Sequence, residues 1–499
     1  MLEYTGHPLV DVGIATIVAF VDKDSPDELV EADLEAVADY MVHNYPKNPL
    51  RAYLTVVFPN SGFTQPAFFK QPEKQALYAE KVLRSFREDV PISDDFGIFM
   101  GLPATAVSFD VSDKLKPGRV FRQHIPMQTG EGIINFYPYG DAGLPVSGLA
   151  LLAIHAYPLG SAKCAGRTLS VHSDNPEIMR YFAATFLKDN LRRINIAQQA
   201  GSKKLEEPHQ KYRTLLIQVL LEATGRQQKR LNKNEPFSIT AYHLTNSGQG
   251  ADLDIYHLPF QIISYLQLML SPDYEAAWVQ IVRRAWIKPK LKRGQTEALA
   301  DFEPDRNYLY EDLFRLAEDP IERAPHFIRT YFLRNAFRYT RQDKTDPRGQ
   351  YSSQQEANLV SWKLTEPFLR RIMHMDETRI EQIRTLADEL ADYVKSQNDK
   401  RFFRNFYMEK SYGNFRLLLI KANTGQVQRG NPPFLTLDTY TAVFEDGEEL
   451  GKNNWWLSRD LVLIRMIEQL YAGDNWFHQN EDAFPEQTEQ DETQQERKQ

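Results

Sequence analysis

Cysteine is almost absent: the 499 residues hold one, Cys164. A lone thiol closes no intramolecular disulfide, so nothing calls for an oxidising compartment, and it excludes a paired CxxC zinc site. Long apolar runs are missing too. The most apolar stretch, Val146 to Gly160, is interrupted by His155 and Pro158 and falls short of the ~20 residues that a membrane helix needs. The opening Met-Leu-Glu-Tyr has no basic start of a signal peptide. The expectation is a soluble, cytoplasmic chain with no membrane partner. Catalytic signatures are missing as well. There is no P-loop, no GxGxxG after a strand, no GxSxG and no HExxH. A non-enzymatic protein without cofactor or metal is expected.

What is present is globular. Hydrophobic residues make up 42% and charged residues 25%, inside the range of packed domains. The length suggests roughly two to four domains. Aromatics are abundant, with 24 Tyr and 29 Phe, enough for a large core with some left for stacking. The net charge of −8 argues against a polyanionic partner, but it is unevenly spread. Residues Glu481 to Gln499 carry seven acids against two bases, so this tail supplies five of the eight net negative charges. Ala276 to Thr296 holds six bases and no acid. The local field, not the average, steers a phosphate backbone.

Periodicity outlines an α+β chain, a large mixed N-terminal region (1–350) followed by an all-α C-terminal bundle (351–480). Ser25-Pro26-Asp27-Glu28 reads as a capping box, followed by an apolar helix face at Leu34, Val37, Ala38, Met41, Val42 and Tyr45. Arg51 to Phe58 (RAYLTVVF) reads as a strand and Pro59 to Gly62 as a turn. A helix is expected over Glu73 to Arg87, and further strands at Thr105 to Asp110 and Ile133 to Tyr137. Gly130 to Gly166 reads as loop-rich. Phe237 to Leu244 and Leu253 to His257 form an expected strand pair joined by Thr245 to Asp252. Beyond Asp305 helical spacing dominates, clearest at Ile380, Ile383, Leu386, Leu390 and Val394. Ser458 reads as a cap for a helix over Asp460 to Tyr471. Asp343 to Ser353 is polar and helix-breaking and marks the expected boundary. The Gln/Glu-rich tail, 481–499, is expected to be disordered.

One group of residues could hold a metal: His172 and Asp174, with His155 upstream, would make a metal-dependent nuclease. The competing reading, favoured by the turn before Pro176, has Ser173 and Asp174 capping a helix. Cys164 reads as a small buried hydrophobe rather than a nucleophile. The signals above background concern nucleic acid. In RRAWIKPKLKR, Arg283, Arg284, Lys288, Lys290, Lys292 and Arg293 surround Trp286, so cations can meet phosphates while the indole stacks. Arg334, Arg338 and Arg341 would share one face of a helix, with Arg329 and aromatic neighbours close by. Lys400 to Arg416 is basic and aromatic, mostly explained by core packing. Lys163 and Arg167 flank a glycine turn. In Asn246-Ser247-Gly248-Gln249-Gly250, glycines allow close approach and amides suit base edges. The plainer readings are a solvated basic face and a well-formed hairpin loop.

Several segments together resemble one family. They are Thr5 to Gly13 (TGHPLVDVG), Tyr137-Pro138-Tyr139-Gly140 leading to Gly148 and Pro158-Leu159-Gly160, Leu169 to Asp174 (LSVHSD), and Thr245 to Pro259 (TNSGQGADLDIYHLP). In this order they resemble the Cst-type large subunit of the type I-B CRISPR Cascade complex. The resemblance covers roughly residues 1 to 260 by motif; beyond that the likeness is one of helical character and length. It implies a non-catalytic subunit partnered by a guide CRISPR RNA and by the backbone, 5′-end and small subunits of Cascade. Such a subunit recognises the motif flanking the target in double-stranded DNA. It helps open the duplex, contacts the displaced strand and recruits a helicase–nuclease. The N-terminal region would then bind the flanking motif and the guide 5′ end, and the C-terminal bundle would be like the small subunit, with Met373 and Met375 as possible internal starts. On this resemblance Asn246, Ser247, Gly248, Gln249 and Gly250 would read the flanking motif, Lys163 and Arg167 would hold phosphates, and the other basic residues would follow the displaced strand or guide. The chain departs from many relatives in lacking paired CxxC motifs. A scaffold that contacts only protein is the remaining alternative.

Overall fold

The computed structural model describes residues 2–485, apart from 113, 129, 132–139, 141, 208, 232–235, 247–249, 289–304, 446–454 and 474. The chain divides into two compact units, Met1–Phe260 and Gln261–Gln499. The division falls well before the expected boundary at 350. The polar segment around 343–353 is instead folded into the second unit. There Asp346 accepts from the Arg348 N–H at 2.9 Å and starts a 3₁₀ turn at Pro347–Gln350.

The first unit contains α1 (Pro8–Phe20), α2 (Glu31–Asn44), α3 (Leu50–Leu54), α4 (Pro72–Leu83), β1 (Ile92–Phe96), β2 (Pro103–Thr105), β3 (Arg119–Val120), β4 (Leu144–Pro145) and α5 (Gly148–Ala156). It continues with β5 (Ala162–Cys164), β6 (Arg167–Ser173), α6 (Pro176–Gln199), α7 (Tyr212–Leu231), β7 (Ile239–Thr245) and β8 (Asp252–Leu258). Helix α1 is buried at every residue from Leu9 to Val18, which suits a helix apolar all round and places it in the core. It packs on α5, α6 and β6. Its approach to α5 depends on Gly13, where a Cβ would sit 1.9 Å from the Ala153 carbonyl oxygen. The Gly13→Ala change should therefore push the two helices apart and cost on the order of 1–3 kcal/mol, read as a lower urea midpoint. An unchanged midpoint would show that the packing there has slack.

Strands β5 to β8 form one antiparallel sheet in sequence order. The expected strand pair is present as β7 and β8, with Leu244 opposite Leu253. Other expectations over this unit are corrected. RAYLTVVF is not a strand: Leu50 to Leu54 is a short helix that runs on into turns, and Tyr53, Leu54, Val57 and Phe58 are buried along one side. Burial on a curved core face overrides the β-preference of Val and Thr. Only Thr105 of the run to Asp110 is in a strand, and Ile133 to Tyr137 lies outside the described residues. The stretch called loop-rich contains α5, capped by Ser147 through the Ala150 N–H at 3.4 Å. Ser25 does cap the Asp27 N–H, but only a 3₁₀ turn follows; α2 starts at Glu31, where the Asp33 carboxylate accepts from the Val30 N–H at 2.8 Å.

The second unit comprises α8 (Phe260–Met269, beginning one residue before the division), α9 (Glu275–Arg283), α10 (Tyr308–Leu316), α11 (Pro320–Phe327), α12 (Trp362–Arg371), α13 (Glu377–Gln397), α14 (Lys400–Met408), α15 (Tyr412–Gln428), α16 (Leu437–Phe444) and α17 (Trp455–Tyr471). Among the described residues it holds no strand. The expected stripe on α13 is fully buried, and α13 packs along α17. Helix α17 begins at Trp455, so Ser458 is not its cap but a buried residue of its first turns, its hydroxyl accepting from Arg379 at 3.3 Å. The acidic tail is ordered at its start: Glu481–Ala483 forms a 3₁₀ turn and Phe484 packs on Phe403 and Phe477. Residues 486–499 lie outside the described residues. Among those described, no helix is long and apolar enough to cross a membrane.

Candidate nucleic-acid interface

The β7–β8 connection begins at Asn246, which is fully buried. Its amide donates to the carbonyls of Val57 at 3.0 Å and Arg122 at 3.2 Å. Its backbone N–H reaches Val56 at 2.7 Å, and Arg122 returns a bond to the Asn246 carbonyl at 2.6 Å. Asn246 therefore fastens the root of the loop and does not present its amide to a base edge, a correction to its expected role. Gly250 is exposed, with nothing within 4 Å of where a Cβ would stand. Ser247, Gly248 and Gln249 lie outside the described residues.

The Lys163 to Arg167 turn is a tight hairpin, with Ala165 and Gly166 both at positive φ, 49° and 78°, as a type I′ turn requires. Both of its cations are paired with acids. Lys163 lies 3.5 Å from Glu207 and donates to the Leu205 carbonyl at 3.1 Å. Arg167 reaches across the sheet to Asp252 and to Asp254, the latter at 2.8 Å. Asp252 and Asp254 are distant from Arg167 in sequence and become its neighbours through the strand pairing.

The basic segment after α9 is partly spent in the same way. Arg283 is exposed at the end of α9. Arg284 binds Glu356, with Nε to the carboxylate at 2.6 Å, and Lys288 donates to the Gln350 side chain. Trp286 packs edge-on against Tyr310. Lys290, Lys292 and Arg293 lie outside the described residues.

The arginine stripe does not form. The helix ends in a π-type turn at Ile328–Phe332, Arg334 turns into the left-handed region at φ 58°, and a 3₁₀ turn covers Arg338–Arg341. Arg334, fully buried, binds Glu356 through Nε at 2.9 Å and Nη2 at 2.7 Å and lies 3.4 Å over the Tyr351 ring. Arg329 pairs with Asp460 at 3.0 Å. Within Lys400 to Arg416, Phe402, Phe403, Phe406 and Phe415 are buried, in line with core packing.

The three residues of the nuclease alternative point to separate jobs. His155 is buried, stacked on Phe58 at 4.5 Å with its Nδ1 on the Leu151 carbonyl, and burial lowers its pKa to about 4. Asp174 accepts from the Ser238 N–H at 2.9 Å. The helix at Pro176 is capped by Asn175, through the N–H groups of Glu177 at 3.0 Å and Ile178 at 3.3 Å, and not by Ser173 or Asp174. Among the described residues no three His, Cys, Asp or Glu side chains group as metal ligands.

His172 instead meets a residue to which sequence reasoning gave no role. Its Nε2 lies 3.1 Å from the Asp11 carboxylate, which also accepts from Thr5 N at 2.6 Å, Thr5 Oγ1 at 2.9 Å and Gly6 N at 2.8 Å. Burial alone would raise the Asp11 pKa, but these bonds together hold it below the usual carboxylate range. A buried acid in the first turn of an otherwise largely apolar helix was the available signal. The cluster ties the N-terminal TGHPLVD segment to the LSVHSD strand. The chain matches no protein-family model and no curated protein.

Proposed function

We propose that this chain is a non-catalytic large subunit of an RNA-guided CRISPR surveillance complex. In that role it recognises the motif flanking the target, assists R-loop formation and recruits a helicase–nuclease. The observation that supports this reading is the meeting, in one unit, of the resemblance-bearing segments that are described; Tyr137, Pro138 and Tyr139 lie outside the described residues. TGHPLVDVG opens α1, the Gly148 to Gly160 stretch forms α5 and the turn after it, LSVHSD is the end of β6, and TNSGQGADLDIYHLP spans the β7–β8 connection and β8. Asp11 bonds His172, α1 packs on α5, and β6 pairs with β7. Segments scattered over some 250 positions thus build one framework that includes both strands flanking the β7–β8 connection.

Internal pairing of Lys163, Arg167, Arg284 and Arg334 favours a second reading, a scaffold that touches only protein. One isolation separates the two. The chain, drawn from its host at moderate salt, is expected to bring down RNAs of uniform length with one constant 5′ end and several companion proteins. A chain that brings proteins but no RNA would leave the scaffold reading, and a chain that comes down alone would remove both.

A further inference from the structure

Among the described cations singled out by sequence, Lys163, Arg167, Arg284 and Arg334 are paired with acids. The groove with the opposite character lies elsewhere, where the C-terminal end of α2 meets the C-terminal end of α6. It has a volume of about 360 Å³ and is lined by Asn44, Lys47, Asn48, Gln198, Ser202 and Lys203, with Gly201 at its lip. No carboxylate and no aromatic ring is part of the lining. Lys47, Gln198, Ser202 and Lys203 are exposed, and neither lysine is paired with an acid among the described residues. The acids nearest to Lys203 in sequence are engaged: Glu206 faces Arg193 at 3.6 Å and Glu207 faces Lys163. Gly201, at φ 64°, turns the chain out of α6, and nothing stands within 4 Å of where its Cβ would be. The space beside this turn is therefore open to an approaching strand, and the exposed lysine side chains are the donors that face it, since the Gly201 and Ser202 N–H groups are spent on the Gln198 and Ala197 carbonyls.

The lining chemistry selects a ligand. Two ammonium groups, the Asn48 amide and the N–H groups left over by the bonds of Asn44 to the Tyr40 carbonyl and of Gln198 to Asn44 offer donors to an oxyanion, whereas the Ser202 hydroxyl is already given to the Lys204 carbonyl. The lack of a ring to stack on argues for backbone rather than base. An open groove suits a segment of an extended polyanion better than an enclosed nucleotide. We propose that this groove binds the phosphodiester backbone of a nucleic-acid strand. The inference rests on the preceding reading only for the identity of the polyanion, since an anionic phospholipid headgroup carries the same phosphodiester.

The test uses the full chain and a labelled single-stranded RNA of mixed sequence, with affinity read by fluorescence anisotropy over a series of salt concentrations. The Lys47→Glu/Lys203→Glu variant is compared with Lys70→Glu/Lys74→Glu, which makes the same change in net charge at two exposed lysines by α4. The groove variant should bind at least ~10-fold more weakly, with a salt slope smaller by about 1.4 for two lost phosphate contacts on a single strand. The control should stay within about 2-fold of the unaltered chain. Equal weakening of both pairs, or of neither, would overturn the groove while leaving the surveillance-complex reading standing on its co-purified RNA. Binding to vesicles of phosphatidylserine and phosphatidylcholine, lost in the groove variant and unaccompanied by RNA binding, would reassign the groove to lipid and overturn the proposal as stated. An unaltered chain that binds neither RNA nor vesicles would overturn it as well.

Discussion

Removing the Glu356 carboxylate, as in Glu356→Ala, should destabilise the second unit by about 3–5 kcal/mol. Arg334 has no access to solvent, and its charge is balanced by two bonds from Nε and Nη2 to one Glu356 oxygen at 2.9 and 2.7 Å. The other oxygen takes Arg284. Truncating the acid leaves a guanidinium buried over the Tyr351 ring without a counter-charge. The loss of one partner, not the worth of the pair, sets the size of the effect. The paired change Arg334→Met/Glu356→Leu should thus recover much of the loss, because it removes both charges and keeps apolar volume. Urea unfolding followed by a probe in the second unit checks both. A double variant as unstable as Glu356→Ala would show that the acid's other partner, Arg284, or the backbone at φ 58° carries the energy instead.

The second large effect is acid lability of the first unit. His124 and His155 are buried and held neutral. Burial lowers the His124 pKa to about 3 and that of His155 to about 4, from an ordinary 6.5. The His124 ring fits the neutral form with hydrogen on Nε2: Nδ1 accepts from the Phe121 N–H at 3.2 Å, and Nε2 faces the Phe109 carbonyl at 3.4 Å. Protonating Nδ1 would remove that acceptor. For a histidine with a depressed folded pKa, the unfolded chain takes up protons first as the pH falls. Stability is full above about 6.5, declines from there down to the folded values, and is level below them. Each group contributes on the order of 3–5 kcal/mol to this slope. Asp11 adds a separate loss at lower pH. Its folded pKa lies below 3.8, so its contribution is present above that value and disappears as the pH falls through the folded one. Midpoints of the first unit measured between pH 7.5 and 4.5 should fall steadily, and His155→Phe should flatten part of the fall. A midpoint level across that range would mean that the two rings are solvated.

Local pattern was enough to place some elements. The β7–β8 pair was legible because two runs of β-formers flank a Gly-containing connection, a signal contained within twenty-odd residues. The α13 stripe was legible because its apolar spacing is regular and its opposite face is charged. RAYLTVVF and the stretch around α5 were misread for the opposite reason. Their propensities are ambiguous, and the deciding force is burial in the core, of α5 against α1 and of RAYLTVVF against α5 and the turn after it, which no local window contains. Candidate site residues divide along the same line. Sequence identified Lys163, Arg167, Arg334 and Asn246 as residues with chemistry to offer. It could not say to whom they offer it.

The sequence by itself determined the composition class, the single thiol, the β7–β8 strand pair and the helical character beyond residue 305, because each is set by composition or by short-range pattern. Only the tertiary structure decided where the units divide and which charges are spent. Asp252 and Asp254 reach Arg167 through strand register, Glu356 reaches Arg334 through a left-handed turn, and Asp11 reaches His172 across the core. Electrostatic partnership depends on distance in space, and a free cation can be told from a neutralised one only after the chain has folded.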